Sequence, residues 1–226
     1  MNSHENGYDI VLADTPESKR IHFKLRYDVY CLEKGYEEAK KFVDQLEVDE
    51  YDDTSAHFLI RCRATQSWIG TYRIVFNRFN ELPLSKHASI YPEHIPTHGG
   101  ISAEFSRLAI LRRFQVPKNG AITDAQFECH ILMKAIHSGI SYSRQKGAMD
   151  VVFFCQRSLG RVVDKLGLVV KQIGPKSQYR GSRYPYLGRL NDFQNGFTSE
   201  IALQCFKQHG TYYHYSDYFH PRVMAA

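Results

Sequence analysis

No apolar run in this 226-residue chain approaches the roughly 20 residues that a bilayer-spanning helix needs. The opening residues, MNSHENGYDI, lack both the basic start and the apolar stretch of a secretory leader. Cysteine is sparse: Cys31, Cys62, Cys129, Cys155 and Cys205 are odd in number, and no two have the close spacing of a zinc site or a redox pair. Reduced, mostly buried thiols are expected, with the cytosol as the compartment. The eleven histidines include no HExxH; His209, His214 and His220 fall in an aromatic tail, and no metal is expected. Zinc-finger spacing, a basic zipper and an RNP-like strand are all missing, so nucleic acid is not the expected partner. A net charge of +5 still favours an acidic partner.

What is present reads as one domain over residues 1–226, with an aromatic tail over about 191–226. The composition, 43% hydrophobic and 23% charged, is ordinary for a globular chain, and the length allows a sizeable core. Tyr8 to Ala13 reads as a strand. Thr15, Pro16 and Glu17 start a helix whose stripe runs Ile21, Leu25, Val29 and Leu32, stopped by Gly35. Arg26 and Tyr30, four apart, form the adjoining row and could face a cleft. Glu37 to Thr54 is acidic and irregular. Ala56–Ala64 and Trp68–Phe76 read as paired strands turning near Gln66 and Ser67. A proline-rich loop follows, with a short helix around Leu84 to Ile90. Ile101–Leu111 reads as a central strand, and Thr123 with Gln126 as a capping box for a long helix that Gly147 ends. Val151–Cys155 is a buried-type strand. A short helix from Ser158 to Leu166, strands at Leu168–Ile173 and Tyr184–Leu190, and a last helix from about Ser199 to His209 complete the chain. This order predicts an α/β (α+β) fold, a mixed central sheet with helices on both faces.

Three clusters carry chemistry. Arg26, Tyr30 and Tyr36 lie on or just after the first helix. Glu47, Asp49, Tyr51, Asp52 and Asp53 form the second. Gly70-x-x-Arg73 and Glu104-x-Ser106-Arg107 sit on two strands. Strict alternation puts Glu104, Ser106, Leu108 and Ile110 on one face of the central strand and Arg107 on the other. A β-bulge near 105–108 is therefore required if Glu104 and Arg107 serve one cleft.

Together and in this order, EFSRLAI preceded by VDEYDD and GTYRIV, these residues resemble the acyl-homoserine lactone synthases. They are more similar still to the long-chain N-acyl amino acid synthases and exosortase-associated acyltransferases. The resemblance spans about residues 20–170. It implies the acetyltransferase-like (GNAT) fold, with Arg26, Asp49, Asp52, Arg73, Glu104 and Arg107 lining the active cleft, Ser106 between the last two, and Tyr30 and Tyr36 beside the substrate. Tyr36 stands where the lactone synthases place a tryptophan, which points away from S-adenosylmethionine as the acceptor. The acetyl-CoA loop Q/R-x-x-G-x-G/A is replaced by Arg112-Arg113-Phe114-Gln115-Val116-Pro117-Lys118-Asn119-Gly120, basic and poor in glycine. Such a loop suits the single phosphate of phosphopantetheine and an acidic carrier.

The implied activity is transfer of a medium or long acyl chain from acyl carrier protein to the amine of an amino acid, without a tightly bound cofactor. Membrane contact is expected only through the lipid product. Glu104 is the candidate base. Asp49 and Asp52 could hold the acceptor's ammonium and Arg26 or Arg73 its carboxylate, or these groups could pair with one another to order the entrance loop. Arg112, Arg113, Lys118, Arg157 and Arg161 are the expected carrier-protein docking charges. A lactone synthase is the alternative enzyme, and a non-catalytic acyl-carrier or lipid-binding module the alternative of another class.

Overall fold

The computed structural model describes residues 7–112, 124–165, 169–193 and 212–219. Its strands are β1 (Tyr8–Leu12), β2 (Ser55–Cys62), β3 (Trp68–Arg78), β4 (Ile101–Ile110), β5 (Asp150–Cys155), β6 (Lys171–Gln172), β7 (Ser177–Gln178), β8 (Ser182–Arg189) and β9 (Tyr213–His214). They form one mixed sheet in the order β6-β8-β5-β4-β3-β2-β1-β9, with β7 paired to β8. β4 and β5 run parallel, as do β1 and β9; the other pairs are antiparallel.

Helix α1 (Pro16–Tyr27) begins as its sequence predicts. The Thr15 side chain accepts from the Ser18 N–H, the Ser18 hydroxyl accepts from the Thr15 N–H, and Pro16 takes the first turn. Leu25 and Val29 reach the core against Val11, Leu59, Ala109 and Leu111. Leu32, expected on the same stripe, is 61% exposed. The reason is a widened π-helical turn over Asp28–Glu33, closed by the Lys34 N–H on the Val29 carbonyl, which rotates the last residues off a 3.6-residue stripe.

The opposite face is covered by α2 (Asp124–Gln145). Its Ile131, Met133, Ala135, Ile136 and Ile140 pack on Phe58, Ile60, Ile74, Ala103 and Val151. Helix and sheet approach closely at Gly139, where an added Cβ would lie 2.3 Å from the Phe105 ring. The predicted cap at Thr123 lies outside the described residues, as do the last predicted helix and the end of the short helix after β5, seen here as α3 (Arg157–Lys165). The segment around Leu84 forms only a 3-10 turn over Pro83–Lys86. Of the strand expected at Leu168–Ile173, Leu168 lies outside the described residues, and among the rest β6 is the part assigned as strand. The described part of the aromatic tail adds β9 to the outer edge, where Asp14 accepts from the Ser216 N–H and Tyr218 donates to Asp9 at 2.7 Å. No described helix is long and apolar enough to cross a membrane.

Between α1 and the sheet lies a buried histidine pair. His57 Nε2 donates to the Asp52 carbonyl at 3.0 Å, and its Nδ1 lies 3.2 Å from His22 Nε2, while His22 Nδ1 faces Thr71 Oγ1 and the Phe58 carbonyl. Burial holds His57 down at about 4 and His22 well below the ordinary histidine range, helped by the nearby Arg26. At these two residues the native state thus binds fewer protons than the unfolded chain below pH ~6.5. Their contribution to stability is fully present above that value and is expected to fall by about 1.4 kcal/mol per pH unit per histidine as pH drops toward 4. Urea midpoints measured between pH 7 and pH 4.5 in Glu104→Gln, which removes the opposing contribution of that raised carboxyl, check this; a flat profile there refutes it.

Candidate active site

Parallel pairing of β4 with β5 runs from Ser102–Asp150 to Phe105–Phe153 and stops there. Beyond that point the strands part, and a cavity of about 290 Å³ opens in the notch. One arm is apolar, walled by Leu132, Ala135 and Ile136 of α2 with Phe105, Phe153 and Leu159. The other arm is polar and contains Tyr30, Tyr36, Arg73, Glu104, Ser106 and Arg107, joined by Lys34, His87, Tyr179, Arg180 and Arg183.

The bulge required by the sequence is present. Register between β3 and β4 shifts between Thr71 and Arg73, and Arg107 has φ +54. The extra residue changes which side chains share a face. Arg107 joins Glu104 and Ser106 on the α1 side, while Leu108 and Ile110 pack into the α2-side core. The simple alternation that grouped Leu108 and Ile110 with Glu104 is corrected by this single insertion.

Glu104 is 3% exposed. Its Oε2 accepts from the Leu84 N–H at 2.8 Å, and Oε1 has no hydrogen bond among the described residues. Burial pushes the carboxyl up to about 7, against the pull of the Leu84 N–H and of Arg73 and Arg107. No ion pair joins Glu104 to either arginine among the described residues.

Those arginines are matched elsewhere. Arg26 pairs with Glu47 and, at 2.6 Å, with Asp52. Arg73 reaches Asp49 at 2.5 Å and Asp52 at 2.7 Å, and its Nε donates to Ser106 at 3.2 Å. Arg107 reaches Asp49 at 2.7 Å and Glu47 at 3.2 Å. Three cations thus meet three carboxylates. Burial would raise Asp49, but the Arg73 hydrogen bond and the charges of Arg73, Arg107 and Arg26 hold it at about 2. The acidic loop is pinned for this purpose: the Glu47 N–H donates to Phe23 O, and Asp52 accepts from the Asp49 N–H.

Of the residues expected around substrate, Tyr30, Tyr36, Arg73, Glu104, Ser106 and Arg107 line the cavity. Arg26, Asp49 and Asp52 do not; Arg26 is fully enclosed, and the three sit behind the wall as its charged frame. Among the docking charges, Arg112, Arg157 and Arg161 are exposed, the last two on α3 beside the cavity residues Gln156 and Leu159, while Arg113 and Lys118 lie outside the described residues. The sequence reading missed Lys34, His87, Tyr179, Arg180 and Arg183. Its one available signal was the turn-type run Ser177–Arg183 between two strands, dense in cations and tyrosine.

Residues 25–122 match the family model described as Acetyltransferase (GNAT) domain. Among solved structures, the chain is similar to the AHL synthase LasI, at 19% identity and TM-score 0.61, over 86% of this chain and 98% of that one. It is similar to FeeM, an N-acyl amino acid synthase from uncultured soil microbes, at 14% identity and TM-score 0.59, over 88% and 98%. A third is BjaI, a CoA-dependent acyl-homoserine lactone synthase, at 16% identity and TM-score 0.56, over 88% and 99%. No curated protein sequence matches the chain. The chain has the mixed-sheet fold of the GNAT acyltransferases.

Proposed function

We propose that this protein is an N-acyltransferase that moves a medium or long acyl chain from acyl carrier protein to the amine of an amino acid. The observation that carries the reading is one cavity with an apolar arm, a polar arm, and the buried carboxyl of Glu104 with one oxygen unbonded among the described residues. The apolar arm suits an acyl chain, each buried methylene adding about 0.8 kcal/mol.

Glu104 as carboxylate takes a proton from the acceptor's ammonium, directly or through a water. The freed amine attacks the thioester carbon, forming the C–N bond and an oxyanion. A backbone N–H of β4 beyond Phe105, where β5 no longer pairs, would receive that oxyanion in this reading. Collapse breaks the C–S bond, the nitrogen releases its second proton to solvent water to leave a neutral amide, and the leaving thiolate recovers a proton from Glu104. Cys155 lines the cavity, but burial pushes its thiol up to about 12, which favours direct transfer over an acyl-cysteine intermediate.

The experiment is thiol release and product mass spectrometry with acyl carrier protein and acyl-CoA donors and an amino-acid mixture. An N-acyl amino acid supports the reading; a lactone formed from S-adenosylmethionine transfers it to the lactone synthases; no release with any donor removes it. Reversing Arg112, Arg157 and Arg161 to glutamate should raise the KM for acylated carrier protein about tenfold at low salt and flatten its salt dependence. An acyl-pantetheine donor should be little affected. Equal losses with both donors would show that these charges shape the cavity instead of docking the carrier.

A further inference from the structure

Arg26, Arg73 and Arg107 are neutralised one for one, and none of them is free to take a new anion without breaking a buried network. Arg180 is held differently. It lies at the tip of the β7–β8 hairpin with φ +49, followed by Gly181 at φ +95, and it lines the cavity. Its guanidinium carbon stands 5.7 Å from the Tyr30 ring centre and 4.9 Å from that of Tyr179. Among the described residues its one carboxylate partner is Glu37, and the two side chains are 15% and 20% exposed.

Arg183 braces the tip, donating from Nε to the Tyr179 carbonyl at 3.3 Å and from Nη2 to the Arg180 carbonyl at 3.2 Å. Neither Arg183 nor Lys34 has a carboxylate partner among the described residues, and both line the cavity. The cavity therefore carries surplus positive charge on the side away from the apolar arm, with Glu104 as its lining acid. The Arg180–Glu37 pair keeps some solvent exposure, unlike the enclosed Arg26–Glu47 pair, so a second carboxylate can take Glu37's place and leave the guanidinium compensated. A bidentate arginine–carboxylate contact then fixes the ligand's orientation as well as its charge.

We propose that Arg180 exchanges Glu37 for the carboxylate of the amine acceptor, with Arg183 and Lys34 supplying the surplus charge and Tyr30, Tyr36 and Tyr179 walling the exchange. This rests on the acyl-transfer reading and assigns the acceptor's carboxylate to Arg180 in place of Arg26 or Arg73. Simple amines lack the carboxylate that this contact requires.

The test compares leucine with isoamylamine and phenylalanine with phenethylamine, each pair differing by the carboxylate alone, in the wild-type protein, Arg180→Gln and Glu37→Gln. The wild type should prefer the amino acid. Arg180→Gln should raise its KM about 10- to 100-fold, the cost of losing a charged hydrogen-bond partner, and shift the KM of the amine much less, so that the acid-to-amine preference collapses. Glu37→Gln should lower the amino-acid KM by removing the competitor. The same acid-to-amine preference in Arg180→Gln and wild type overturns the proposal. If the wild type acylates neither acceptor, the acyl-transfer reading fails on its own, and calorimetry with the same amino acids then decides. Binding lost only in Arg180→Gln keeps the carboxylate site; equal binding, or none to either protein, ends it.

Discussion

Replacing Glu104 by glutamine should cut kcat/KM at pH 7 by at least about tenfold, toward the 10²–10⁴-fold that a positioned base commonly supplies. The substitution keeps the shape and the acceptor for the Leu84 N–H and removes only the basic oxygen. In the wild type, with the carboxyl near 7, kcat/KM should rise about tenfold per pH unit below that value and level off above it. In the variant that break should vanish, and the rate should climb only as the acceptor's own amine deprotonates.

The same residue makes an opposite prediction for stability. The folded protein holds the Glu104 proton up to about 7, the unfolded chain only to the ordinary glutamate range. The contribution to stability is complete below the unfolded value and is lost as pH rises through 7. Above pH 8 a buried carboxylate costs the native state about 3 kcal/mol, which glutamine should restore as a higher Tm. A variant that is less active yet more stable at pH 8 marks a residue kept for chemistry. Unchanged activity at pH 7 with saturating acceptor, or a Tm that falls at pH 8, would remove Glu104 from this role.

The sequence disclosed those parts of the site that rest on local rules. The Thr15–Pro16 start of α1, the hairpin of β2 and β3 and the run of β5 follow from capping, alternation and apolar continuity. The bulge at Arg107 was deducible too, because Glu104 and Arg107 cannot share a cleft on a regular strand. The pairing of charges was not. Nothing in the order of Glu47, Asp49 and Asp52 says which arginine each will meet, since the choice is made by a loop folding onto α1 through the Glu47 N–H. Arg180 was hidden for another reason. It touches Tyr30 and Glu37 from the far end of the chain, and its backbone takes a left-handed conformation that sequence readers assign to glycine. Leu32 failed because a helical stripe assumes 3.6 residues per turn, and the turn at Asp28–Glu33 is wider.

Arg26→Met should be the most destabilising single change in the polar frame. The guanidinium is completely enclosed, with Glu47 on Nε, Asp52 on Nη1 and Asp49 within 3.7 Å of Nη2. Removing it leaves two arginines for three buried or half-buried carboxylates. Breaking a buried pair from one side typically costs about 3–5 kcal/mol, because the partner's charge stays buried without compensation. Glu47, 1% exposed, loses its closest cation and keeps only Arg107 at 3.2 Å. The double variant Arg26→Met with Glu47→Gln should recover part of the loss, since it removes the stranded charge along with its partner. Urea unfolding of the four proteins gives the coupling energy directly. Had Arg26 gripped the acceptor, as its place beside Tyr30 on the helix suggested, the single variant would unfold like the wild type and lose only acceptor affinity. That result would move Arg26 from the frame to the site, and the enclosed geometry predicts the reverse.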